Sequence, residues 1–153
     1  MSTEYKITRA SEEDLQEILD LQHLAYQSEA ALFGRKDIQP LTETLDELAE
    51  EYKAGTVLKM TDENGKIIGS VRGKEADGTL YIGKLMVHPD HQRKGYGRRL
   101  VTAIEECCPG RRYELFTSTR SVDNIRLYEK NGYRIFDRKE IDAELVFVYM
   151  EKL

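Results

Sequence analysis

The sequence predicts a mixed α+β domain in which a central sheet of about seven strands is flanked by four helices. Three observations carry this. Short apolar runs alternate with polar residues and end in turn dipeptides, longer stretches repeat their apolar residues at helical spacing, and glycine or proline marks most of the boundaries between them. At 153 residues the chain is expected to form a single domain, 1–153, able to bury a core without metal or disulfide staples.

Tyr5 and Ile7 alternate with polar neighbours and predict a short first strand, after which Ser11 and Asp14 fit a capping box. The helix that follows carries Leu15, Ile18, Leu19, Ala25 and Tyr26 on one stripe. A looser stretch around Phe33, Gly34, Asp37 and Pro40 reads as loop that borders a substrate pocket. Thr44 with Glu47 opens a second helix through Leu45, Leu48 and Tyr52, stopped near Gly55. Two hairpin signals, Asn64-Gly65 and Asp77-Gly78, then separate three strands of an antiparallel meander that ends at Val87. Leu100, Val101 and Ile104 mark a third helix, ended near Pro109-Gly110. Tyr113 to Thr117 is a strand, and Asn124 to Lys130 is a helix closed by Asn131-Gly132. Tyr133 to Phe136 and Leu145 to Met150 are the final strands.

Composition excludes several classes. With 40% hydrophobic and 33% charged residues the chain is an ordinary folded protein rather than a disordered tail. No apolar run approaches the roughly 20 residues that span a bilayer, and the first residues lack the pattern of a secretory signal, so a cytoplasmic protein with no membrane partner is expected. A net charge of −5 disfavours nucleic acid as a partner, because that task needs a basic face. The two cysteines, Cys107 and Cys108, are adjacent, which suits packing at a helix end and neither a zinc site nor a disulfide. His88 and His91 flank Pro89 without a third ligand, so no metal is expected, and His23 falls on a helix face.

The informative stretch is Leu80 to Arg99, LYIGKLMVHPDHQRKGYGRR, where an extended run feeds a glycine-spaced turn that opens a helix. Glycines at 95 and 97 let successive N–H groups converge, the helix behind them adds its positive end, and Arg93, Lys94, Arg98 and Arg99 gather there in an acidic chain. That combination suits a phosphorylated ligand. The same turn also occurs as a plain strand-to-helix connection, so taken alone it leaves both readings open. A P-loop and a dinucleotide fingerprint are poor fits, since no Gly-Lys-Ser/Thr follows and Leu100 stands where the third glycine belongs.

Gln92-Arg93-Lys94-Gly95-Tyr96-Gly97 resembles the Gln/Arg-x-x-Gly-x-Gly/Ala motif of GNAT acyltransferases, preceded by a strand ending Leu85-Met86-Val87-His88-Pro89. Downstream, Asn124 to Tyr133 resembles the family's second signature, a helix closing on Leu-Tyr-Glu-Lys-x-Gly-Phe/Tyr. Both motifs stand in the family's order with a strand between them, and the element order matches along essentially the whole chain.

The resemblance implies a GNAT-like, mostly antiparallel sheet splayed between strands four and five. It implies acetyl-CoA as cosubstrate, its pantetheine arm lying in the gap against the backbone of Leu85, Met86 and Val87. It further implies that the backbone from Gln92 and Arg93 through Lys94, Gly95, Tyr96 and Gly97 to Arg98 holds the pyrophosphate, and that Tyr128 protonates the departing thiolate. The acceptor would be a primary amine on a small molecule, peptide or protein. The family's asparagine seven residues before the tyrosine is replaced by Ser121, with Asn124 four before, and either is in place to meet the cofactor. Tyr81 and Phe116 stand where some relatives carry a carboxylate base. Glu114, on the face of Phe116, is one candidate, and a water chain or a low-pKa substrate are others. The missing strand carboxylates also suit a different class of function, an acyl-CoA-binding regulator without chemistry. Acceptor contacts are expected near Tyr26 to Phe33 and from the final strands. A monomer and a homodimer are both open.

Overall fold

The computed structural model describes residues 5–153. The chain runs β1 (Lys6–Arg9), α1 (Leu15–Ala25), α2 (Gln27–Phe33), α3 (Gln39–Thr42), α4 (Leu45–Ala54), β2 (Thr56–Thr61), β3 (Ile67–Ala76) and β4 (Thr79–Val87). It continues with α5 (Tyr96–Cys107), β5 (Arg112–Ser118), α6 (Val122–Lys130), β6 (Arg134–Glu140) and β7 (Val146–Lys152). Single 3₁₀ turns precede α1 at Glu12–Asp14 and follow β4 at Pro89–His91. All seven strands form one sheet, ordered β1-β2-β3-β4-β5-β7-β6. Every neighbouring pair is antiparallel except β4 with β5.

Among the described residues six helices stand where four were expected. The stretch read as loop after Tyr26 contains α2 and the single-turn α3. The chain bends at Tyr26 and resumes at Gln27, so one apolar stripe is split between two axes. Gly34, with φ of 64°, ends α2 in a left-handed cap, and Pro40 sits in the first turn of α3. β6 also extends to Glu140, four residues beyond the expected Phe136. Its side chains are all exposed, so no burial alternation marks its length.

The expected caps form. Thr44 Oγ1 accepts the Glu47 N–H at 3.2 Å and the Glu47 carboxylate accepts the Thr44 N–H at 2.9 Å. The Ser11 N–H likewise donates to Asp14 at 2.8 Å. Helices α5 and α6 cover one face of the sheet, where Leu100, Val101, Ile104 and Tyr128 pack on Met60, Val71, Leu80 and Ile82. Helices α1 and α4 cover the other, with Ile18 and Leu48 against Val57, Ile67 and Met86. Cys107 and Cys108 are free thiols packed at the end of α5, where burial pushes the Cys107 thiol pKa up. Among the described residues no helix is long and apolar enough to cross a membrane.

Strand β4 shifts register once. Ser70 faces Met86 but Arg72 faces Gly83, so Lys84 and Leu85 together oppose Val71, and Lys84 takes a φ of 51°. This is a β-bulge, and it inverts the strand: the α5 face is met by Leu80 and Ile82 before the bulge and by Leu85 and Val87 after it.

A buried charge cluster sits against the bulge. Arg72 of β3, only 6% exposed, lies 2.9 Å from Glu43 and also bonds Glu51 of α4 and Gln22 of α1. Gln22 in turn donates to Glu43 at 2.8 Å, and Lys84 approaches Glu51 at 3.8 Å. Burial opposes ionisation of Glu43, but the hydrogen bonds from Arg72 and Gln22 prevail and hold its carboxyl below the usual range. Burial pushes Glu51 the other way, and the charge of Glu43 adds to that push.

Candidate active site

The two ends of β4 differ. Thr79, Leu80 and Tyr81 pair with Arg112, Tyr113 and Glu114 of β5, and pairing stops there although both strands continue. The bulge at Lys84-Leu85 turns the rest of β4 away, leaving a wedge-shaped gap. A cleft of about 700 Å³ runs along it, lined by Leu85, Met86 and Val87 on β4, by the turn into α5, by α2 and by the start of α6. That volume falls within the range of small-molecule sites.

The floor at one end is the glycine-spaced turn. Arg93 and Gly95 adopt left-handed φ values of 64° and 84°, and Lys94 between them does not, so the peptide N–H groups curl toward one side. A Cβ on Gly95 would meet no atom within 4 Å, so the space above the turn is open. The first α-helical bond of α5 is from the Arg99 N–H to the Gly95 carbonyl at 3.2 Å, leaving the N–H groups of Tyr96, Gly97 and Arg98 without intrahelical partners. Gly97 has a packing reason too, since a Cβ there would stand 3.1 Å from Leu127 of α6. Gln92 donates its amide to the Val87 carbonyl at 3.1 Å, tying the turn to the end of β4. Gln92, Arg93, Gly95, Tyr96 and Gly97 line the cleft, whereas the side chains of Lys94 and Arg98 lie outside it in the exposed parts of the turn and helix.

Tyr128 is 6% exposed and follows the cleft-lining Leu127 in α6 without itself lining the cleft, its ring 6.1 Å from that of Tyr133. Burial, with the negative charge of Glu29 as the second cause, pushes its hydroxyl pKa far up, so the proton stays on through the neutral range. Tyr26, at the bend between α1 and α2, donates its hydroxyl to the Leu85 carbonyl at 3.0 Å and is shifted upward as well, first by burial. The hydroxyl of Tyr128 adds to the upward shift of Tyr26.

Ser121 and Asn124 both face the cleft, and both bond to Glu29 of α2: Ser121 Oγ at 2.8 and 2.6 Å from the two carboxylate oxygens, Asn124 Nδ2 at 3.2 Å from one of them. Sequence reasoning did not single out Glu29. It belongs to no motif, and the only signal was the expectation that acceptor contacts come from the stretch between Tyr26 and Phe33.

Glu114 does not reach the gap. It lies opposite Tyr81 at the last position where β5 pairs with β4, and there it is held 2.8 Å from Arg112. Tyr81 and Phe116, 44% and 50% exposed, occupy the same sheet face. Arg35, beyond α2, pairs with Asp37 and with Asp142 of the β6–β7 turn, joining the two segments expected on the acceptor side. His88 and His91 meet edge to face at 5.8 Å, and among the described residues no three His, Cys, Asp or Glu side chains are grouped to hold a metal.

A family model described as Acetyltransferase (GNAT) family matches residues 15–133. The chain belongs to the GNAT acetyltransferase family. It is 29% identical over 119 residues to the UPF0157 protein YqkA of Bacillus subtilis, a match covering 77% of this chain and 34% of that protein, so it spans about a third of that relative's length. Solved structures share the fold at low identity. The ribosomal-protein-S18-alanine N-acetyltransferase of Escherichia coli superposes with a TM-score of 0.80 at 16% identity, over 97% of this chain and 93% of that one. The PaiA N-acetyltransferase of Thermoplasma acidophilum, solved in complex with coenzyme A, also gives 0.80, at 18% identity over 99% of each chain.

Proposed function

We propose that this GNAT chain transfers the acetyl group of acetyl-CoA to a primary amine of a small molecule, peptide or protein, by direct attack within a ternary complex. The single observation that carries the reading is the open edge of β4 beyond its bulge, which ends on a helix N-terminus wrapped by a left-handed turn. An extended arm finds no β5 strand partner opposite Leu85, Met86 and Val87, where the Leu85 and Val87 carbonyls accept from the side chains of Tyr26 and Gln92, and a diphosphate finds convergent N–H groups from Arg93 to Arg98, with Gln92 bracing the turn. The turn fits such a group, since nothing fills the space over Gly95.

In this reading a strand N–H beside the bulge polarises the thioester carbonyl as negative charge builds on its oxygen. Tyr128 holds its proton at neutral pH and gives it to the sulfur as the C–S bond breaks. A thiolate of pKa about 8.5 leaves fairly well unaided, so this acid assists rather than enables the step. Asn124 and Ser121 border the arm from α6.

The test is thiol release when purified protein meets acetyl-CoA and a panel of amines, with the melting temperature followed as coenzyme A is added. Stabilisation by coenzyme A together with turnover on at least one amine class is expected. Binding without turnover on any class replaces this reading with the acyl-CoA-binding regulator, which the ion-paired, distant position of Glu114 favours.

A further inference from the structure

Among the described residues two carboxylates line the cleft from the helical side, Glu29 on α2 and Asp123 on α6. Glu29 lies in the first turn of α2 and lines the cleft with Leu85 to Val87. Its contacts to Ser121, at 2.8 and 2.6 Å, and to Asn124, at 3.2 Å, come from the start of α6, so they cross the mouth of the gap. A carboxylate offers about four lone-pair positions, while Ser121 brings one proton and the Asn124 contact a second, so acceptor capacity remains. The charge of Glu29 also acts on the hydroxyls of Tyr26 and Tyr128. It is thus held by two side chains of α6 and its N-cap, close enough to act on Tyr128, and is open to a further donor.

We propose that Glu29, positioned by Ser121 and Asn124, is the acceptor-side carboxylate, which draws in a cationic primary amine and takes its proton. The proposal rests on the transfer reading above. The ammonium gives one proton to Glu29, which passes it to water, and the freed lone pair forms the C–N bond at the thioester carbonyl. The C–S bond breaks, and the thiolate takes the Tyr128 proton. The second N–H proton returns through Glu29 to restore the tyrosine hydroxyl, so one amide, one thiol and one free proton result.

Other charged groups face this carboxylate. Arg120, from the turn before α6, bonds the Leu32 carbonyl at 2.9 Å, and Asp123 lies on α6. His91 and Arg93 stand across the cleft. Ser121 and Asn124 act through Glu29 as positioning residues.

The experiment measures kcat/KM for the best amine, from pH 6.5 to 9.5, in wild type and Glu29→Gln, with coenzyme A binding followed in parallel. An amine of pKa near 10 is almost wholly protonated at pH 7, so Glu29→Gln is expected to lose about 100-fold there. The deficit shrinks to less than about 10-fold near pH 9.5, where free amine is plentiful, and the KM for acetyl-CoA stays within about 2-fold. Ser121→Ala is expected to slow the wild type by about 5-fold and to do nothing further in the Glu29→Gln background, the non-additivity of a shared function. Glu29→Ala, a second route, is expected to regain turnover with added formate. Equal turnover of Glu29→Gln and wild type, a deficit independent of pH, or tighter coenzyme A binding with full turnover each overturns the proposal. A wild type that binds coenzyme A but turns over no amine overturns the transfer reading itself, and this assignment with it.

Discussion

Strand β4 is two different objects at its two ends. From Thr79 to Tyr81 it is an ordinary interior strand, paired on both sides and flanked by the Arg112–Glu114 and Arg112–Glu151 ion pairs. From Gly83 to Val87 it keeps β3 but loses β5, and its free edge lines the cleft. Local propensity does not distinguish the ends, since both are rich in apolar residues. The difference is one inserted residue: the bulge at Lys84-Leu85 reverses the faces and bends the strand away, and the Arg72 cluster clamps it from behind. A binding edge inside a sheet thus depends on a defect held by buried charge.

The largest effect is expected from breaking that clamp. Arg72→Ala leaves Glu43 buried without its cation and should cost about 3–5 kcal/mol, read by urea denaturation. The same cluster sets an acid limit. Glu43 is depressed in the folded state, so its contribution is complete above its ordinary value of 4.5 and is lost as the pH falls through the lower folded value. Glu51, shifted upward, takes its proton earlier and does not begin that loss. The melting temperature should therefore fall steeply below about pH 4.5, and in Arg72→Ala this fall should flatten.

Next in size is the open end itself. Gly95→Val puts a β-branched residue at φ of 84° and pulls the turn's N–H groups out of line. Two charge-assisted hydrogen bonds lost at roughly 1.5 kcal/mol each raise the Kd for coenzyme A by about 100-fold, measured calorimetrically. Tyr128→Phe removes a hydroxyl while keeping the packing on Tyr133. It should slow thiol release by about 10- to 100-fold, with coenzyme A affinity unchanged. The smallest effect belongs to the closed end: Glu114→Gln should leave turnover within about 2-fold and cost about 0.5 kcal/mol of stability through the weakened Arg112 pair. A large loss of activity there would erase the distinction between the two ends.

Much of this was legible in the chain because it rests on local rules. Asn64-Gly65 and Asp77-Gly78 dictate hairpins, Thr44 and Glu47 cap a helix, and the spacing of Gly95 and Gly97 marks the tight turn that opens an amphipathic helix. The resemblance to the GNAT motifs extended that to the splay. Helices α2 and α3 were not legible, because the bend at Tyr26 splits the apolar stripe and a hydroxyl bond to Leu85, distant in sequence, fixes the bend.

Sequence neighbours within a few residues of one another set the strand count, the order of the strands and of the helices other than α2 and α3, and the glycine turn before α5. Only the tertiary structure decided which carboxylates meet the cleft. Glu114 and Glu29 look alike in sequence, but strand register ties one to Arg112 at the closed end, and the packing of α2 against α6 delivers the other to Ser121 and Asn124 at the open one. Side-chain partners separated by some ninety residues follow from how helices dock, and no local pattern encodes that.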